Sequence, residues 1–145
     1  MTAVTIKNGA GVTFTFADGE VDTVRSAINA DIDQTPLPTS APSQAFLFDF
    51  EGVRKIITVK GSLFDNGANR ISSGTAITIL AQKQFLEKAL DGLQTAVDFT
   101  STYESQTFDG TSFVSTKVMW GTIAFDEIAG DVEVLPFTMT LVVGL

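Results

Sequence analysis

The chain has 145 residues, a formal net charge of −8 at pH 7, and neither Cys nor His. It therefore lacks thiolate chemistry, disulfides, the usual proton shuttle and the commonest metal ligand. Nine Lys and Arg against seventeen Asp and Glu argue against a protein that grips nucleic acid phosphates. The length predicts a single domain over residues 1–145, and 44% hydrophobic residues are enough for a core.

The N-terminal segment predicts a β-hairpin. Val4 and Ile6 precede the turn sequence NGAG at 8–11, and apolar residues alternate with threonines from 12 to 16. Asn-Gly supplies the positive φ angles that tight hairpin turns need. A weaker strand is expected from about Val21 to Ala30.

Residues 31–44, DIDQTPLPTSAPSQ, hold three of the four prolines. Proline removes an N–H donor and fixes φ, so the composition predicts a long exposed loop at about 31–44. Ile32 and Leu37 within it suggest packing against a neighbouring molecule.

The stretch from Ala45 to Asp65 shows period-two alternation, which is typical of strands with one buried face. It is long for one globular strand. It predicts either two successive strands or one long strand that bends near Glu51-Gly52. A long strand with Lys and Arg in its middle suits a sheet that joins other copies of itself.

One amphipathic helix is predicted from about Ala76 to Asp91, with Leu86, Leu90 and Leu93 on its apolar face and Gln82 on its polar side. Strands follow at about 97–103, 113–125 and 132–145. Pro136 inside the last one suggests an edge strand or a bulge.

The tally is seven or eight strands and one helix. This predicts a mainly β (α+β) fold, with two packed antiparallel sheets or an open barrel flanked by one α-helix.

No catalytic constellation emerges from the sequence. Triads need His or a Lys or Cys equivalent, and no spacing marks one. Carboxylate pairs at 49–51 and 131–133 are expected by chance in a chain with seventeen acids. The acids at 18–22 do not match a calcium loop and predict a solvated acidic turn. We therefore expect no enzyme activity, cofactor or metal site.

The order of elements resembles the tail-tube-fold proteins of long-tailed bacteriophages and contractile injection systems. The segments RKIITVKGSLFD at 54–65, FLEKALDGL at 85–93 and LPFTMTLVVG at 135–144 carry the resemblance, which covers most of residues 45–145. In that family two packed sheets are flanked by a helix, six subunits close a ring around a lumen, and loops bridge stacked rings. Members include tube, baseplate or tube-initiator, and distal tail subunits.

The resemblance implies a structural subunit of a virion tail, made in the host cytoplasm. It implies a homo-oligomeric, hexameric ring that contacts other tail proteins and lets DNA pass without specific binding. An acidic conduit, no membrane and no small-molecule substrate are also expected. The candidate inter-subunit or inter-ring contacts are Ile32, Leu37, Pro38, Phe46, Phe48, Ile57, Val59 and Trp120.

Two other interpretations stay open from the sequence. One is a β-sandwich binding module for carbohydrate or a host surface, with Trp120 and Tyr103 as exposed stacking platforms. The other is a small β-barrel enzyme or lipid carrier with a cavity lined by Phe.

Overall fold

The computed structural model describes the backbone of residues 3–36, 45–90 and 94–144, and their side chains outside 34–52. The part it describes contains nine strands and one helix. They are β1 (Thr5–Lys7), β2 (Thr13–Thr15), β3 (Val21–Pro36), β4 (Ala45–Phe64), α1 (Ile79–Ala89), β5 (Val97–Thr100), β6 (Gln106–Phe108), β7 (Phe113–Ser115), β8 (Lys117–Phe125) and β9 (Val134–Gly144).

Seven strands form one antiparallel sheet in the order β2-β1-β5-β8-β9-β4-β3, and β6 pairs with β7 alone. The large sheet curls around a shared core. Phe16, next to β2, stacks on Phe137 of β9 at 5.3 Å between ring centroids. Phe14 of β2 stacks on Phe85 of α1 at 5.5 Å. This open, curled sheet with one flanking helix confirms the predicted fold class.

The hairpin of β3 and β4 dominates the sheet. β4 is one strand, and its pairing steps from Ala30↔Val53 to Ile32↔Asp49, which leaves three β4 residues opposite one β3 residue. The bend predicted near Glu51-Gly52 is therefore present.

The predicted loop at about 31–44 begins too early, because residues 31–36 belong to β3. Pairing with β4 continues as far as Pro36↔Ala45. Proline is tolerated there because it ends the strand, where its missing N–H breaks no continuing ladder. Residues 37–44 lie outside the described residues.

Helix α1 is shorter than predicted and begins after Thr78, whose hydroxyl caps it by accepting from the backbone N–H of Ala81 at 3.2 Å. Placing Gln82 on the polar side was wrong, because its side chain is fully buried. Its Nε2 donates to the backbone oxygens of Phe64 (3.1 Å) and Ile77 (2.7 Å). This polar contact ties the helix to the end of β4. Residues 91–93, which include Leu93, lie outside the described residues.

Pro136 is not on an edge strand, because β9 lies between β8 and β4. Its carbonyl accepts from the N–H of Asp126 at 3.0 Å, just after β8 ends. The missing N–H therefore falls beyond the last β8 partner, and the central sheet keeps its full ladder of bonds.

Candidate assembly surface

Strands β8, β9, β4 and β3, of 9, 11, 20 and 16 residues, lie side by side in the large sheet. We call this part the four-strand sheet. Its inner face packs on the core, and β3 forms one of its edges. On the other side, β5 pairs with β8 only at Val97↔Val118 and Asp98↔Lys117. The side chain of Gln94 bonds the backbone of Trp120, so β8 has a second open edge beyond Trp120 within the part of the chain described.

One hydrogen bond shows which backbone N–H groups of β3 point toward its free edge. The N–H of Ser62 in β4 donates to the backbone oxygen of Glu20, just before β3, at 2.8 Å. Amides alternate along a strand, so the N–H of Thr58 also points to β3, where Arg25 is its register partner. It follows that the N–H groups of Val24, Ser26 and Ile28 point away from β4.

At Trp120 the side chain of Gln94 takes the place of a neighbouring strand, and the open edge of β8 begins beyond this residue. The Gln94 amide accepts from the N–H of Trp120 at 2.7 Å and donates to its carbonyl at 2.8 Å. After the register shift between Trp120 and Thr122, Thr122 and Ala124 pair with β9. Since the N–H of Asp126 also points to β9, the N–H groups of Ile123 and Phe125 point to the open edge.

The outer face of the four-strand sheet is the side opposite the core. Inward residues such as Val59 and Met139 are fully buried, and their strand neighbours form the outer face. Between Thr23 and Asn29 in β3, and opposite them, its charged side chains are Arg25, Arg54 and Lys60. Over this stretch and its paired partners in β9 and β8, the outer-face residues are Thr23, Arg25, Ala27, Asn29, Arg54, Ile56, Thr58, Lys60, Ser62, Pro136, Thr138, Thr140, Val142, Met119, Thr122 and Ala124, and none of these is Asp or Glu. Lys117, opposite Gly144, also lies on this face and is ion-paired with Asp98.

Three of the residues predicted as contacts belong to the core of the subunit itself. Ile57 and Val59 are 0% exposed and Trp120 is 4% exposed. The alternation that marked them as apolar was right, but their own chain covers them, so they have no free surface for a neighbour.

The remaining predicted contacts are spread along the β3–β4 hairpin. Ile32 is 48% exposed on β3. Phe46 and Phe48 lie in β4, and their side chains are outside those described. Leu37 and Pro38 fall outside the described residues. Their contact roles remain predictions.

The sequence did not predict β6, and β7 is the first part of the strand predicted at 113–125, which the structure divides at Thr116 into β7 and β8. Phe108 and Phe113 are exposed and meet at 5.4 Å between ring centroids. Lys55 anchors the preceding loop through Glu104 (2.7 Å) and the hairpin through Thr107 (3.1 Å). The turn sequence Asp109-Gly110 was the available signal, but strands of three residues give little alternation to detect.

The acidic turn at 18–22 differs from the expectation of a solvated loop, because Glu20 is fully buried in an ion pair with Arg70. Across the described residues, no three or more Asp or Glu side chains lie close enough to share a metal ion. In the same part of the chain, no helix has the length and hydropathy to cross a membrane.

The two aromatic residues of the binding-module interpretation do not form a platform. Tyr103 is 92% exposed in the loop after β5, whereas Trp120 is buried.

Two carboxyl groups, those of Asp98 and Asp109, have a lowered pKa. Hydrogen bonding to Lys117 is the largest cause that lowers the pKa of Asp98. Backbone N–H groups of Ser112 and Thr111 lower the pKa of Asp109.

No protein-family model matches the sequence, and the search of curated proteins returns no match. Among solved structures, the chain is similar to one described as the tail of an empty GTA particle computed with helical refinement and C6 symmetry. The TM-score is 0.51 at 10% identity, over 99% of this chain and 90% of that one. A chain from the virion of a native gene transfer agent (GTA) particle gives a TM-score of 0.47 at 12% identity, over 98% and 95%. The chain therefore has the fold of a chain in a gene transfer agent tail, and the sequence resemblance to tail-tube proteins is confirmed at the level of the fold.

Proposed function

We propose that this chain is a structural subunit of a phage or phage-like virion tail, which closes into a ring that forms part of a DNA conduit. The observation that carries the proposal is the pair of open edges on the four-strand sheet, one along β3 and one along β8. Unpaired edges are an aggregation hazard, and closing a sheet across subunits removes them. The proposal gives the chain no catalytic role.

The directions of the two edge strands support ring closure. β8, β9, β4 and β3 alternate in direction, so β8 and β3 run opposite to each other. In a ring of identically oriented copies, β3 of one subunit beside β8 of the next continues the antiparallel pattern. This head-to-tail contact uses two different surfaces, and it closes when the rotation between subunits is right.

The structure also favours one face for the lumen. The tail to which the chain is similar has C6 symmetry, and six copies of four strands give 24 strands. At about 4.8 Å between strands, the circumference is about 115 Å and the untilted diameter about 37 Å. Six cores with their helices do not fit inside such a barrel. The outer face of the four-strand sheet therefore lines the lumen in this proposal.

Ser26→Pro tests the proposed edge contact. The N–H of Ser26 points away from β4, so proline removes an outward donor without removing an internal ladder bond. We expect a folded subunit that no longer forms rings, while Ser26→Ala, which keeps the N–H, forms them normally. Circular dichroism checks the fold, and negative-stain electron microscopy over a concentration series checks assembly. Folded Ser26→Pro protein that forms normal rings contradicts the edge contact.

A further inference from the structure

We propose that Arg25, Arg54 and Lys60 on the outer face of the four-strand sheet contact the phosphate backbone of nucleic acid inside the ring. The inference rests on the proposed function, because ring closure is what turns this face toward the lumen. It replaces the expected acidic conduit with a hydroxyl-rich wall that carries positive charge.

The distribution of basic residues sets this face apart. Of the nine Lys and Arg residues, five form ion pairs, which are Lys7, Lys55, Arg70, Lys83 and Lys117. Of the other four, Arg25, Arg54 and Lys60 lie on the outer face, and Lys88 lies in the last turn of α1. None of the three on the outer face has an ion pair with a described residue.

Arg25 and Lys60 are close neighbours despite their like charge. Arg25 is opposite Thr58, and Lys60 is opposite Thr23, one step further along the same face. Together with Ser26 these residues line one shallow depression along β3 and β4. Like charges on adjacent strands repel each other. None of the outer-face residues between Thr23 and Asn29, or opposite them, is an acid that would offset this cost, so an anion from outside the subunit would relieve the repulsion.

The charge of the rest of the chain is negative, so a polyanion would be attracted to the subunit only at this outer face. The formal charge is −8, and the three cations contribute +3, so the remaining residues carry −8 − 3 = −11. Phosphate is repelled by the rest of the subunit and attracted here. Threonine hydroxyls such as those of Thr58 and Thr140 add hydrogen-bond donors for phosphate oxygens. Such backbone contacts carry no sequence information, which suits nucleic acid that slides past.

The experiment compares two charge-matched double variants. Arg25→Gln/Lys60→Gln changes the outer face, and Lys83→Gln/Lys88→Gln changes α1 by the same total charge. Fluorescence anisotropy with a fluorescein-labelled DNA duplex, at several salt concentrations, measures binding to assembled rings. We expect salt-dependent binding by the wild type and by the α1 variant. The outer-face variant should bind about tenfold more weakly, and its salt slope should be smaller by about one for each phosphate that is no longer neutralised.

Three results overturn the inference: wild-type rings that do not bind the duplex, equal weakening by both double variants, or loss of rings in the outer-face variant alone. The last result would make the face a contact between protein subunits. Electron microscopy of the same samples shows whether rings form, which distinguishes a failure of the proposed function from a failure of the phosphate contact. Rings without DNA binding reject only this inference. Wild-type protein that never forms rings rejects the proposed function, and the same pair of variants, measured on the subunit at low salt, then decides the phosphate contact.

Discussion

Glu20 and Arg70 form a buried ion pair, with 2.6 Å between Oε1 of Glu20 and Nε of Arg70 and at most 1% of either side chain exposed. The carboxylate also accepts from the backbone N–H groups of Ala17 (2.7 Å) and Phe64 (3.2 Å). Arg70 donates to the backbone oxygens of Phe64 (3.2 Å) and Ala68 (2.6 Å). The pair thus joins the turn before β3, the end of β4 and the loop that leads to α1.

Removing one partner of this pair should destabilise the protein strongly. Glu20→Gln or Arg70→Met leaves a buried charge without its counterion, which costs about 3–5 kcal/mol of unfolding free energy. Urea denaturation followed by circular dichroism measures the change. In a double-mutant cycle, Glu20→Gln/Arg70→Met should cost less than the sum of the two single changes. Strict additivity would show that the two side chains are not coupled.

Gly61 lies where β4 presses against the chain before β3. A Cβ at this position would be 1.9 Å from the backbone oxygen of Glu20, which is itself held by the N–H of Ser62. Gly61→Ala should therefore force a backbone shift and lower the unfolding free energy by about 3 kcal/mol or more. Gly9→Ala is the matched control, because nothing lies within 4 Å of its added Cβ. A Gly61→Ala variant with the thermal midpoint of Gly9→Ala would contradict this packing.

Asp98 should titrate below the usual pH range of an aspartate because Lys117 and Lys7 hold its ionised form. A lowered folded pKa gives stability that is present above the unfolded value, near 3.8, and is lost as the pH falls through the folded pKa. The side chain is 37% exposed, so the solvent-screened contribution is below about 1 kcal/mol.

Lys117→Gln should raise the pKa of Asp98, which carboxyl NMR chemical shifts can follow against pH. Asp109 serves as an internal control, since backbone N–H groups lower its pKa and the substitution leaves them in place. An unchanged Asp98 titration in the variant would refute the role of Lys117.

The sequence predicted those features of the fold that depend on local pattern. Alternation identified β4 and β9, and helical spacing identified the face that carries Leu86. It did not separate a buried polar residue from an exposed one. The buried side chain of Gln82 donates its Nε2 to the carbonyls of Phe64 and Ile77, and Phe64 is distant in sequence.

The candidate site was harder to predict for a related reason. Ile57 and Val59 are apolar whether they face a core or a neighbouring subunit, and only the curl of the sheet decides which. The open edges of β3 and β8 are properties of strand order, which no single segment encodes. Only the strand register brings Arg25 beside Lys60, neither of which has an ion pair with a described residue.

Disulfide cross-linking between β3 and β8 tests ring closure most directly, because the chain has no cysteine of its own. A cysteine at Ala27 in β3 is combined with one at Thr122 or Ala124 in β8, all on the outer face. Antiparallel neighbours approach within the Cα distance of about 4.4–6.8 Å that a disulfide requires. We predict that, on oxidation of assembled protein, one of these pairs gives a ladder that ends at a covalent hexamer, whereas each single-cysteine variant gives none. Rings that form normally but yield no cross-link with either pair would show that β3 and β8 do not meet between subunits.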